Sequence, residues 1–326
     1  MRAIVYEQYG PPEVLELREI PKPTPDDNEV LIRIRATTVT SGDWRVRSLE
    51  VPRGFGMMSR LFFGIVKPRQ PVLGTELAGE VEQVGKLVNR FKTGDQVFAF
   101  CGAKMGCYAE YVCMPEDGMI QPKPVNLTFG EAAALSFGGT TMLNFYRRGK
   151  LQGGEKVLIN GASGGVGTAA VQLAREFGAE VTGVCSSANV ELVRSLGAHY
   201  VIDYTREDFT TNGRVYDVIV DTVGTAPFSR CKDSLRGDGR LLVVLGELKD
   251  LFQVPWVAMT SKKKIIAGPA SERTEDLQLL AQLAAEGKFK PVVDRTYPFE
   301  QMVEAHRYVD TGRKRGNVII TLEHDA

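Results

Sequence analysis

Lys156 to Ala179 read KVLINGASGGVGTAAVQLAREFGA: an apolar run, a glycine-rich turn and an amphipathic stretch in direct succession. KVLIN has the length and apolar character of a strand buried on both faces. A simple turn needs one glycine, whereas this one has Gly161, Gly164, Gly165 and Gly167. Glycine at these points lets the backbone approach a pyrophosphate, while free N–H groups and the dipole of the following helix face its charge. On that helix Val166, Ala170, Leu173 and Phe177 share one face, a stripe suited to docking on a sheet. The reading is strand, phosphate-cradling turn, helix, with Gly161, Ser163, Gly164, Gly165 and Val166 as candidate binding residues.

The same rhythm continues outward. EVTGVCS, YVIDY, VYDVIVDTVG and GRLLVVLG are further buried strands between helical segments, and EAAALSFGGTTMLNFYRR upstream reads as a helix. Such alternation predicts a doubly wound parallel sheet over residues 125–270. Residues 1–124 differ: AIVYEQY, EVLIRIRATTV, LAGEVEQVG, DQVFAF and YAEYVCM are short runs punctuated by Gly and Pro, the pattern of a compact β-rich unit. After KIIAGPA come a helix around Glu275–Glu286, the strand KPVVDRTY, a helix over Phe299–Val309 and the strand NVIITL. This tail, 271–326, is expected to return to the first unit. An α/β protein of two domains results, as the 326-residue length also suggests.

Forty basic and forty acidic residues cancel, so no global field draws the chain to nucleic acid or to a membrane. No stretch approaches the ~18 apolar residues of a membrane span, and five cysteines without CxxC spacing suggest free thiols in a reducing, cytoplasmic setting. The stretch VPRGFGMMSRLFFGIVKPRQPVL is longer and more apolar than a connection requires. It reads either as a cap over an apolar substrate or as plain packing.

Cofactor choice is read at the end of the next strand, where an NAD site presents Asp or Glu to the adenosine ribose. Here stand Cys185, Ser186 and Ser187. With no carboxylate at that strand end to repel a 2′-phosphate, and with Ser186, Ser187 and Asn189 able to donate to it, NADPH is expected. No lysine lies near Ala188, so the expected selectivity is moderate unless Arg194, Arg206 or Arg313 supplies the positive charge. Tyr204, closing YVIDY, is a further candidate contact.

EVLIRIRATTVTSGDW, VLGTELAGEVEQVG, FKTGDQVFAF, AALSFGGTTMLNFY and LINGASGGVGTAAVQLAREFGA follow one another in an order and spacing that resemble the medium-chain dehydrogenase/reductase superfamily over nearly the whole chain. The closest likeness is to its zinc-independent, quinone oxidoreductase-like branch. The resemblance implies a GroES-like catalytic domain, a Rossmann domain and an active site in the cleft between them. Alcohol dehydrogenases of the superfamily hold a catalytic zinc with a cysteine and a histidine whose places are taken here by Thr40 and Thr75, and the cysteine-rich lobe of their structural zinc is absent. No metal is expected.

By the same resemblance Thr40, Ser41 and Asp43 stand beside the nicotinamide and Thr140 near its carboxamide. Thr222, Val223, Gly224, Leu245 and Gly246 border the cofactor, and Arg315 and Asn317 close its pyrophosphate site. Arg45 occupies a place often held by tyrosine, which leaves the proton to water or Tyr108. The implied activity is NADPH-dependent hydride transfer to a small apolar conjugated carbonyl, a quinone, enone or alkenal. The alternatives are a nucleotide-binding protein with little catalysis, crystallin-like or regulatory, and a zinc alcohol dehydrogenase, whose ligands are missing. A homodimer through sheet edges near KKIIAGPA is the family expectation.

Overall fold

The computed structural model describes residues 1–324, and the chain divides into two compact units. The first contains Met1–Val51, Gly56–Phe137 and the chain from Glu272; the second contains Pro52–Phe55 and Gly138–Ser271.

In the first unit β1 (Arg2–Val5) pairs antiparallel with β2 (Glu16–Glu19). The long strand β3 (Glu29–Val39) runs between β4 (Glu76–Val84) and a later partner, and β5 (Gln96–Phe100) and β7 (Ile120–Pro122) extend the sheet beyond β4, while β6 (Tyr111–Pro115) also pairs with β3. Between β3 and β4 lie α1 (Ser41–Ser48) and α2 (Gly56–Phe63). Ile32, Ile34, Leu77 and Val97 are fully buried, and sealing each such side chain is worth roughly 1.5–3 kcal/mol.

The stretch expected as one helix from Glu131 is two. α3 (Phe129–Ala133) begins at a Thr128–Glu131 capping box and stops, and α4 (Ser136–Gly149) follows. Because α3 packs on β3 and β4, the first unit runs on through Phe137 rather than ending at 124. On α2, Met57, Met58, Leu61 and Phe62 are exposed, and only Phe63 leans on the core. Plain packing does not describe that stretch.

The second unit continues from α4 through β8 (Lys156–Asn160), α5 (Gly165–Glu176), β9 (Glu180–Cys185), α6 (Val190–Ser195), β10 (Tyr200–Asp203), β11 (Tyr216–Asp221), α7 (Phe228–Cys231), β12 (Leu235–Val243), α8 (Leu248–Thr260) and β13 (Lys264–Ile266). All six strands are parallel, in the order β10-β9-β8-β11-β12-β13. The order reverses direction between β8 and β11, the crevice where ligands of such sheets bind. Ala170 and Leu173 of α5 are fully buried, with Val166 and Phe177 half-buried on the same stripe.

The tail adds α9 (Thr274–Ala285), β14 (Val293–Pro298), α10 (Met302–Asp310) and β15 (Asn317–Thr321) to the first unit. β15 lies antiparallel beside β3, Val318 opposite Val39, with β14 parallel on its outer side.

Candidate functional site

In the second unit the C-terminal ends of the parallel strands gather the candidate cofactor residues. After β8 the chain turns at Gly161, whose φ of +84° is one that side chains rarely adopt. A Cβ there would stand 2.5 Å from Thr222 Oγ1, and one on Gly167 would stand 2.0 Å from the Gly161 carbonyl. Gly164 differs, since its Cβ would meet nothing nearer than 3.7 Å. It is the N-cap of α5, no side chain caps that helix, and no acid lies in its first turn. The helix therefore presents unanswered N–H groups to open space, a cradle for a phosphate.

Beyond β9, the Asn189 amide donates to Ser163 Oγ at 3.0 Å and to Ser186 Oγ at 3.3 Å, tying the glycine turn to this second strand end. Beyond β11, the Asp221 carboxylate accepts from the N–H groups of Val223, Gly224 and Ala226 and from the Asn160 side chain, which fixes the Thr222–Gly224 turn. Leu245 and Gly246 follow β12, and Thr140 is buried in α4.

One group at these strand ends was not legible in the β9 end alone. Asp203, the last residue of β10, lies in register with Cys185, and its carboxylate accepts from the Ser187 hydroxyl and from Thr205. Those donors hold its pKa below the usual carboxylate value. Ser187 is thus committed to a carboxylate, which corrects the expectation that no acid stands here; Arg206 Nε, 3.5 Å away, offsets part of that charge. The signal was a strand ending in Asp beside β9 in a parallel sheet.

In the first unit Thr40, Ser41, Asp43 and Arg45 sit at the start of α1. Thr40 is its N-cap: its hydroxyl accepts from the Asp43 N–H at 3.1 Å and donates to Asp43 Oδ2 at 2.6 Å, and the same carboxylate oxygen accepts from the Thr40 N–H at 2.8 Å. Both residues are buried, whereas Ser41 and Arg45 are half-buried. Arg45 stacks over Trp44 and donates to the Glu50 carbonyl. Burial raises the Asp43 pKa to about 6 against the pull of its donors, among which Tyr108 also acts.

Behind Asp43 runs a chain of polar side chains. Arg47 donates to Asp310 at 2.7 Å and to His306 Nδ1 at 3.0 Å, so His306 carries its proton on Nε2, 3.2 Å from the Tyr108 hydroxyl. Burial, and then the Arg47 charge, push the His306 pKa well below its ordinary value, and burial drives Tyr108 well above its own. Arg315 is exposed, and its backbone N–H donates to Asp294; Asn317 is buried, its amide donating to the Val292 carbonyl.

Glu76 was also missed. Fully buried at the start of β4, it accepts from the Thr38 hydroxyl at 2.5 Å and the Phe137 N–H at 2.6 Å. Burial raises its pKa to about 7, while Lys314, half-buried, falls to about 8 for the same reason. A carboxyl that binds its proton more tightly folded than unfolded stabilises the fold at low pH and loses that contribution as pH rises from about 4.5 through 7. For Glu76 the loss is of order 3 kcal/mol. Glu76→Gln keeps an acceptor for Phe137 and turns an amide toward Thr38. Chemical denaturation should show its stability flatter than the parent's between pH 5 and 8, a comparison in which the opposing His306 contribution cancels; identical slopes would place the titration elsewhere.

Residues 26–124 match the alcohol dehydrogenase GroES-like domain, and residues 196–320 match the zinc-binding dehydrogenase family. The chain is 31% identical to the chloroplast envelope quinone oxidoreductase homolog of Arabidopsis thaliana, over 98% of each protein. It is 32% identical to the 2-methylene-furan-3-one reductase of Solanum lycopersicum, over 98% of this chain and 79% of that one. Among solved structures, the quinone oxidoreductase from Coxiella burnetii superposes with a TM-score of 0.87 at 30% identity, covering 99% of both chains. The chain belongs to the medium-chain dehydrogenase/reductase superfamily. It falls in the quinone oxidoreductase-like branch, and it is an oxidoreductase enzyme of the two-domain type, GroES-like and Rossmann-like.

Membership implies a nicotinamide cofactor, and the Gly164 cradle at the uncapped start of α5 fits its pyrophosphate. A zinc ion, which one of the matched families is named for, does not fit the donors of this medium-chain reductase. At the two ligand positions Thr40 Oγ1 is held by Asp43, and Thr75 Oγ1 is buried without a hydrogen bond. Among the described residues no three His, Cys, Asp or Glu side chains come together to hold a metal.

Proposed function

We propose that the protein reduces a quinone or a conjugated enone or alkenal with NADPH, without a metal. The observation that carries the reading is the pairing of an open phosphate cradle with threonines where this superfamily's zinc ligands would stand. When bound, the reduced nicotinamide supplies a hydride to an electron-poor acceptor. An alcohol would need a Lewis acid to stabilise its alkoxide, whereas an enone or quinone delocalises the charge it gains.

The chain's part is to bind and orient. The N–H groups at the start of α5 hold the pyrophosphate. Ser186 faces the adenosine end, and the Asp221-pinned turn at Thr222–Gly224 borders the sheet crevice. The Asp43 cap fixes where α1 begins and so where Ser41 and Arg45 stand. Arg45 remains a cation that can polarise a carbonyl. Tyr108 is fully buried and faces His306 and Asp43, which leaves water as the proton source. The quinone oxidoreductase named among the relatives and the furanone reductase support this substrate class. β13, at the free edge of its sheet, is where a homodimer would form. No helix among the described residues is long and apolar enough to cross a membrane.

The test is NADPH oxidation with 1,4-naphthoquinone or an enone, and NADP⁺ reduction with a simple secondary alcohol, each with and without chelator. Quinone or enone turnover that chelator leaves unchanged, with no alcohol oxidation, is expected. Stoichiometric zinc whose removal stops turnover overturns the metal-free reading, and cofactor binding without any turnover returns the protein to the nucleotide-binding alternative.

A further inference from the structure

The surface around α2 combines exposed apolar side chains with cations. From Val51 to Thr75 there is no acidic residue, and Arg53, Arg60, Lys67 and Arg69 are spread through the segment. Met57, Met58, Leu61, Phe62, Ile65 and Val66 are all more than half exposed, Met57 at 79% and Val66 at 86%. Arg60, Lys67 and Arg69 are exposed and make no ion pair among the described residues, whereas Arg2, Arg18, Arg33 and Arg47 of the same unit each do. Arg60 lies over the Tyr9 ring, 6.0 Å from its centroid. The helix is anchored from behind: Phe63 packs on the core, Tyr9 donates to the Gly64 carbonyl at 2.9 Å, and the Arg69 N–H donates to the Phe63 carbonyl at 2.7 Å.

We propose that this face docks on an anionic phospholipid membrane surface. An apolar helical face rimmed by unpaired cations matches the two layers of such a surface, acyl boundary below and phosphate above. A second copy of the chain would bring the same unpaired cations against each other, which disfavours it as occupant. Zero net charge does not oppose docking, because screening limits the interaction to the few cations within about 10 Å of the lipid phosphates. The proposed function gives the docking a use, since long-tailed quinones dissolve in bilayers, but the docking stands without it.

The test uses the full chain without cofactor or substrate, so its outcome is separate from that of the catalytic reading. Pelleting with extruded vesicles is compared between phosphatidylcholine alone and a mixture with phosphatidylglycerol. Binding at least tenfold tighter to the anionic vesicles, and lost in half-molar salt, is expected. Lys67→Gln with Arg69→Gln should weaken it about twenty-five-fold, at about fivefold for each cation. Met58→Glu with Phe62→Glu should abolish it; if that pair lowers the unfolding temperature, Met57→Glu replaces it. Equal binding to both vesicles, no binding, or binding that neither pair changes overturns the proposal, as does a concentration-dependent dimer that Met58→Glu with Phe62→Glu dissolves in the absence of vesicle binding.

Discussion

Gly164→Val is expected to lower nicotinamide cofactor affinity by two orders of magnitude or more while leaving the fold intact. The two halves of that expectation have separate physical grounds. Gly164 has φ −81° and ψ 175°, an extended conformation that valine adopts readily, and an added Cβ meets no atom within 3.5 Å. Folding therefore tolerates the change. The open space the new side chain enters is the one in front of the α5 N–H groups, where a pyrophosphate must sit, and valine both fills it and shields the donors. Gly161→Val is the contrasting control, because there a Cβ collides with Thr222 at 2.5 Å and the backbone is left-handed, so stability itself should fall. Fluorescence titration with NADPH and thermal unfolding of both variants separate the effects. A folded Gly164→Val protein that binds as tightly as the parent would remove the phosphate cradle from this loop.

The second large effect concerns cofactor choice. Ser186→Asp sets a carboxylate at the β9 end, and repulsion of a 2′-phosphate in a partly dry groove should weaken NADPH by roughly 1.5–3 kcal/mol. NADH should lose little, because its ribose hydroxyl can donate to the new group. The ratio of kcat/KM for NADPH over NADH is expected above one in the parent and about ten- to hundredfold lower in the variant. Asp203 sharpens the test. Its charge already stands beside Ser187, so Asp203→Asn, which keeps an acceptor for the Ser187 hydroxyl, should move the ratio the other way. A parent that prefers NADH, or a ratio neither substitution moves, would show that this strand end does not face the phosphate.

What the sequence made legible was what short-range pattern encodes. KVLIN, the glycine turn and the α5 stripe are contiguous, so the strand, turn and helix of the parallel sheet follow from short-range pattern alone. The break between α3 and α4 was not visible, because EAAALSFGG is helical in composition and the stop comes from α3 packing on β3 and β4. Asp203 escaped for a similar reason: a strand end was read alone, although in a parallel sheet its neighbour's last residue lies level with it. The Arg47–His306–Tyr108 chain joins residues far apart in sequence, and nothing at Arg47 alone announces that it will be the largest fully buried side chain of the protein. Thr40 and Asp43 were singled out only through the resemblance; that a Thr followed three residues later by Asp caps a helix went unread, and their mutual hydrogen bonds show that cap.

The place of β15 beside β3 bears on how the chain is made. β3 is synthesised well before the partner that covers one of its edges, Asn317–Thr321, the last strand described. All six strands of the second unit are synthesised in between and can pair among themselves, whereas the earlier unit must wait with the Ala36–Val39 edge uncovered. Domains usually complete in order from the N-terminus during synthesis. In this chain the later unit can finish first, and the nascent β3 edge is the surface a chaperone would have to guard until β15 has been made.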